Sequence, residues 1–305
     1  MTPDGASIAP VLGAAARPQA RWRLVVGVFK LRIAVLIMVT ALAGMAIEPG
    51  GAGVGFWPAL TLALSVLLAS AAAGAFNQYA EAASDRLMPR TRNRPFASGA
   101  LPRNGAWLAA IIALLALATG VAALVVNPQA AGYTLAGALT YALVYTLGLK
   151  RRTAWNIVVG GLAGSFAVLA GAAAVQPHIG AQAWALALVL FLWTPPHFWS
   201  LAIANAREYE AAGVPMLPVV VGTPRAARIV HANAIVLVAA TALPLASGCG
   251  WVYALAALAG GAHFLRKTHA LARQPTRGTA LSAFFASMVQ LSVLLAGVVV
   301  DAALR

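Results

Sequence analysis

The chain has 305 residues, 61% of them hydrophobic and only 9% charged, with a mean hydropathy of +0.83. A water-soluble domain is about a quarter charged, so a soluble protein is excluded and lipid must solvate most of the surface. The formal net charge of +14 fits Lys/Arg-rich cytoplasmic loops rather than a nucleic-acid partner, and the lone Cys249 excludes an internal disulfide or a cysteine-paired metal motif.

In chain order, residues 1–23 are rich in Pro, Gly and Ala and lack an apolar core long enough for a signal peptide. They are expected to form a disordered basic tail, ahead of a single polytopic domain over 24–305. Nine apolar runs of span length follow: 26–47, 56–76, 106–126, 131–149, 155–175, 183–204, 226–247, 249–265 and 280–300. None alternates polar and apolar residues as a barrel strand does, so the expected fold class is an all-α membrane protein. The basic residues test this partition. Twenty of the 21 Lys and Arg fall in the N-terminal flank or in every second gap, and Arg305 is the exception. That asymmetry predicts nine transmembrane helices with the N-terminus cytoplasmic and the C-terminus outside.

Only seven acids are present, and four form two pairs, Glu81 with Asp85 and Glu208 with Glu210, at the cytoplasmic ends of apolar runs. A carboxylate near hydrocarbon is costly, so each pair is a candidate site. If the second run continues as a helix, Asn77, Glu81 and Asp85 stand at i, i+4 and i+8 on one stripe. Three such oxygen donors make half of an octahedral Mg²⁺ shell, with water and phosphate supplying the rest. Arg90 and Arg94, which follow, carry planar donors suited to a diphosphate. The plainer alternative is an interface turn in which the acids pair with Arg86 and Arg90. Lys150 and Arg151, in the next basic cluster, fit either phosphate binding or a topology signal.

In the sixth run, Pro195 and Pro196 are expected to break or kink the helix beside a cavity. His197 follows them among aromatic residues, where it can face a flat ligand or serve as a packing residue. Glu208 and Glu210 cannot share a helix face, and Glu208 is favoured because Asn205 lies one turn before it. His178, His231, His263 and His269 lack metal-motif spacing.

Asn77-x-x-x-Glu81-x-x-x-Asp85, with Arg90-Thr91 and Arg94-Pro95, resembles the first acidic motif of the intramembrane aromatic prenyltransferase superfamily. Lys150-Arg151-x-Thr153-x-x-Asn156, Pro196-His197-Phe198-Trp199 and Gly213-x-Pro215-Met216-Leu217-Pro218 are similar to its protohaem IX farnesyltransferase branch. The resemblance runs from about Lys30 to the last span. It departs from the family pattern at Ala83, at Lys30-Leu31-Arg32 and at Thr153-Ala154-Trp155.

The resemblance implies nine helices around a central cavity in the bacterial plasma membrane, with the active site toward the cytoplasm. It implies farnesyl diphosphate as donor, a vinyl group of haem B as acceptor, haem O as product and Mg²⁺ as cofactor. Carried over residue by residue, Asn77, Glu81, Asp85 and Glu208 would hold the metal. Arg90, Arg94, Lys150 and Arg151 would bind diphosphate, and His197 would contact haem. Membrane lipid is the surrounding partner, and a haem-processing or oxidase-assembly protein is a candidate partner. The rival readings are a prenyltransferase acting on an aromatic quinone precursor or chlorophyll-type acceptor, and a transporter. The transporter is disfavoured because the acids cluster at one membrane face without a visible repeat.

Overall fold

The computed structural model describes residues 20–305, which are helical with no strand among them. The tail expected over 1–23 lies outside the described residues as far as residue 19, and helix α1 (Arg21–Val28) already includes its last three residues. Helix α2 (Leu31–Ile47) leaves α1 at a bend of 42°, and α3 (Phe56–Ala80), α4 (Ala82–Asp85) and α5 (Gly105–Val125) follow. Helix α6 (Pro128–Leu139) runs on into a π-helical segment, Thr140–Leu149. Next come α7 (Asn156–Gly160), α8 (Leu162–Ala173), α9 (Ala181–Ala204), α10 (Ala206–Ala211) and α11 (Leu217–Val221). The chain closes with α12 (Thr223–Ala240), α13 (Leu243–Ala246), α14 (Trp251–Arg273) and α15 (Arg277–Leu304).

Among the described residues, seven helices are long and apolar enough to cross a membrane, or eight if the bent α1–α2 pair counts as one span. The expected count of nine is not reached by this measure. The run 249–265 lies in α14 from Trp251 onward, and the later turns of that helix carry His263, Arg266, Lys267, His269 and Arg273, which lower its apolarity. The molecule is thus a multi-pass helical membrane protein.

Small residues bring the helices together, because lipid offers no hydrophobic drive between them. Helices α2 and α8 meet backbone to backbone: a Cβ on Gly44 would strike the Val168 carbonyl, and one on Gly171 the Ala41 carbonyl. The alanine run of α3 is buried at Ala69, Ala71, Ala72, Ala73 and Ala75. Helix α9 packs on α8, α12 and α15, and its inner face supplies Leu186, Val189 and Leu190 to the largest apolar cluster.

Pro195 and Pro196 lie inside α9 without breaking it. The expected break is absent: both prolines are buried in the packed bundle, where membrane helices tolerate them. The acids at the end of the bundle away from both pairs serve helix starts. Glu48 Oε1 accepts from the Gly180 N–H ahead of α9, at 2.8 Å. Asp301 accepts from Gly250 and Tyr253 N–H at the start of α14, at 2.7 and 3.3 Å. Each carboxylate thereby meets the positive end of a helix dipole. A groove of about 300 Å³ between α6 and α8 is lined by Gln129, Gly132, Tyr133, Ala136 and Phe166. It has no charged side chain to offer a diphosphate.

Candidate active site

The acid stripe forms although α3 ends before its second member. Glu81 caps α3 with φ −92° and ψ 6°, and the helix resumes as α4. The Glu81 N–H still donates to Asn77 O at 3.0 Å and the Asp85 N–H to Glu81 O at 2.8 Å. The i to i−4 register is therefore kept across the break, and Asn77, Glu81 and Asp85 stay on one face. All three are buried, at 2%, 6% and 1% exposure.

Each of the three is held by a different cation. Lys30 Nζ donates to Asn77 Oδ1 at 2.6 Å, Lys150 Nζ to Glu81 Oε2 at 2.6 Å, and Arg94 Nη1 to both oxygens of Asp85 at 2.7 and 3.0 Å. Charges this deeply covered persist only when paired. The plainer alternative of pairing with Arg86 and Arg90 does not occur. Arg86 Nε donates to the Ala97 carbonyl, and Arg90 reaches the Tyr209 hydroxyl at 3.4 Å. Two expected diphosphate donors, Lys150 and Arg94, therefore face the acids. Arg151 is exposed and makes no hydrogen bond or ion pair among the described residues. The chain turns sharply after Lys150, and the one cation it presents inward is Lys150.

Local chain geometry places these cations. The Thr91 hydroxyl donates to Asp85 O at 2.9 Å and the Arg94 N–H to Thr91 O at 2.9 Å, folding the loop back on the stripe. Phe96, packed edge-on between Tyr79 and Trp107, anchors its far end. Gln78 Nε2 donates to the Gly27 and Val28 carbonyls at 2.8 and 2.9 Å, satisfying the end of α1. Lys30 then turns through a left-handed conformation, φ 48°, found at no other non-glycine among the described residues. Asn77 Nδ2 donates to Thr146 Oγ1 at 3.0 Å, and Thr146 donates to Tyr141 O, five residues back. The π-helical winding sets that i−5 spacing and brings Thr146 and Lys150 to the same side.

Composition and spacing alone left Lys30 in the basic flank and did not single out Thr146. A signal for Lys30 existed, since it lies inside the apolar run 26–47 and an ionisable residue there marks function. No sequence feature distinguishes Thr146.

At the second acidic pair, Glu208 is half-buried with Oε2 fully covered and without a partner, whereas Glu210 is exposed. Asn205 caps α9 and donates to its own Leu201 carbonyl. Arg90 links this region to the first motif through buried Tyr209. The donors are carboxylate and amide oxygens, the set a hard cation such as Mg²⁺ takes, and the orphaned Glu208 oxygen fits one. Among the described residues, no three His, Cys, Asp or Glu converge to hold a metal by themselves.

His197 is 8% exposed. Trp193 stacks on one face of its ring at 4.2 Å and Phe284 on the other at 4.5 Å. Both ring faces are thus taken, as in the packing alternative, and Phe198 stands perpendicular to the ring at 5.0 Å. His197 stands eight residues before the cap Asn205, about 12 Å deeper along the helix.

The profile of the UbiA prenyltransferase family matches residues 37–290. Among similar proteins, Protoheme IX farnesyltransferase 2 of Paramagnetospirillum magneticum is 51% identical over 92% of this chain and 98% of its own. Protoheme IX farnesyltransferase of Alkalilimnicola ehrlichii is 39% identical over 92% of each. In fold, the chain resembles a structure from work on digeranylgeranylglyceryl phosphate synthase, with TM-score 0.77, 17% identity and coverage of 93% and 99%. It also resembles a UbiA homolog from Archaeoglobus fulgidus bound to DMAPP and Mg²⁺, with TM-score 0.63, 16% identity and coverage of 88% and 99%. With a profile match over most of its length, and relatives this similar end to end, the chain belongs to the UbiA prenyltransferase family.

Proposed function

We propose that this protein transfers the farnesyl group of farnesyl diphosphate to a vinyl group of haem B, with addition of water, giving haem O and diphosphate. The observation that carries the prenyl-transfer half is the buried stripe of Asn77, Glu81 and Asp85, each member held by Lys30, Lys150 or Arg94. The acceptor rests on the curated relatives, named as protohaem IX farnesyltransferases at up to 51% identity. The proposed topology is nine spans with the N-terminus and the acid-lined mouth in the cytoplasm of a bacterial plasma membrane.

Asn77, Glu81, Asp85 and Glu208 would hold Mg²⁺, which supplies Lewis-acid neutralisation of the departing diphosphate. The protein's own cations do related work. Lys30, Lys150, Arg94 and Arg90 are four cations around two carboxylates, Glu81 and Asp85, so an anionic diphosphate enters without net repulsion. Once it arrives, Lys150 and Arg94 exchange carboxylate for phosphate oxygens, adding charge-assisted hydrogen bonds where negative charge grows. The C1–O bond of the donor breaks, and its electron pair leaves with diphosphate. The vinyl π-electrons then form the new bond to C1. Water adds to the carbon left cationic and loses a proton, which completes the hydroxyl. The apolar helices around α9 exclude water until the carbon–carbon bond has formed. His197, deeper along α9, contacts the haem.

The test is incubation of the lipid-reconstituted protein with haem B, farnesyl diphosphate and Mg²⁺, followed by pigment mass. One farnesyl unit plus one water is expected. Unchanged haem with a quinone-precursor ring prenylated in its place overturns the acceptor, and no transfer to either overturns the reading.

A further inference from the structure

The edge of His197 is governed by one residue on another helix. His197 Nδ1 lies 2.7 Å from Ser287 Oγ on α15. That hydroxyl directs its only proton to the Phe284 carbonyl at 2.6 Å, so toward the imidazole it can only accept. The hydrogen between them therefore sits on Nδ1, and Nε2 carries the free lone pair. Ser287 holds the other half of the stack as well, since its carbonyl accepts from Trp193 Nε1 at 3.0 Å. Trp193, whose ring covers one face of the imidazole, is thereby fixed by the same residue. Phe284, one turn before Ser287 on α15, covers the other face. Ser287 itself is 0% exposed, so no solvent competes for these bonds.

We propose that Ser287 is a positioning residue that locks His197 in the Nδ1–H tautomer and presents Nε2 as the axial donor to the iron of the haem substrate. The inference rests on the reading above that His197 contacts haem. The geometry favours coordination over stacking: Trp193 and Phe284 cover both ring faces, Phe198 stands perpendicular to the ring at 5.0 Å, and Nε2 is the one ring nitrogen without a hydrogen-bond partner. A ring fixed through its other nitrogen is the arrangement that orients histidine ligands and raises their basicity.

The experiment uses full-length protein in lipid nanodiscs with haem B as probe and metal-free protoporphyrin IX as control. Ser287→Ala is expected to weaken haem B binding by about tenfold or more and to shift the Soret band away from a histidine-ligated spectrum. Binding of metal-free protoporphyrin and of farnesyl diphosphate should stay unchanged, which also reports an intact fold. Ser287→Thr, which keeps the hydroxyl, should restore the spectrum. Separately, ¹⁵N-imidazole NMR of the haem-free protein, with the signal assigned by its loss in His197→Ala, should show the proton on Nδ1. If His197→Ala loses haem and Ser287→Ala does not, the role of Ser287 is overturned while the haem contact stands. If neither variant changes haem binding, both fall. A proton found on Nε2 overturns the tautomer lock whatever the affinities.

Discussion

Asp85→Asn separates chemistry from architecture at the acid stripe. The substitution keeps the shape and one oxygen acceptor but removes the charge that Arg94 meets at 2.7 and 3.0 Å. Breaking a fully buried ion pair costs about 3–5 kcal/mol. Here the Arg94 side chain is 25% exposed and rehydrates in part, while Asp85 at 1% becomes neutral and needs no counter-ion. The stability loss should thus fall to about 1–2 kcal/mol, near the worth of one charge-assisted hydrogen bond. Turnover should fall much further. A group that stabilises charge developing in the transition state is worth about 10²–10³ in rate, so the predicted loss is at least about 100-fold. The Mg²⁺ concentration giving half-maximal rate should also rise. The assay combines haem O production by mass, a Mg²⁺ titration and the melting temperature in the same detergent. Turnover within about threefold of the parent, or an activity loss matched by lost haem binding and a collapsed melting temperature, would refute the assignment.

Three further predictions follow from the same geometry. Glu208→Gln should lower turnover by about tenfold or more, whereas Glu210→Gln, altering an exposed side chain two residues on, should leave it near the parent value in the same mass assay. Lys30→Gly removes the donor to Asn77 but relieves a left-handed non-glycine backbone. A charged hydrogen bond of roughly 1.5–3 kcal/mol is then offset by about 1–2 kcal/mol of backbone relief. The melting temperature should accordingly move little while farnesyl diphosphate binding weakens several-fold by calorimetry. Gly171→Ala drives a methyl group into the Ala41 carbonyl, a rigid backbone neighbour, and should cost about 1–3 kcal/mol. Gly132→Ala in α6 meets nothing within 4 Å and should stabilise by about 0.5–1 kcal/mol. Thermal unfolding of the two variants side by side checks the contrast.

Much of this site was legible in advance because lipid makes charge rare. With only seven acids in the chain, the spacing of Asn77, Glu81 and Asp85 is conspicuous, and helical periodicity puts them on one face whatever surrounds them. The choice of Glu208 over Glu210 followed from the same periodicity, and their burial agrees with it. Arg94 lies nine residues from Asp85 in the loop that follows it, but the other two partners were not legible, because their pairings cross the chain. Lys30 is 47 residues from Asn77 and Lys150 is 69 from Glu81, and no local rule links such distances.

Composition and charge by themselves determined that this is a helical membrane protein with four of its seven acids gathered in two pairs, since burying a carboxylate in hydrocarbon without purpose is too costly to persist. Tertiary structure decided which cation meets which acid, that the helix carrying Pro195 and Pro196 stays whole, and that His197 offers an edge rather than a face. The physical reason is the same in each case. Periodicity fixes which way a side chain leaves its own helix, but the π-helical winding before Lys150, the bend at Lys30 and the contact of α9 with α15 fix what it meets. Those depend on backbones packed together from distant parts of the chain.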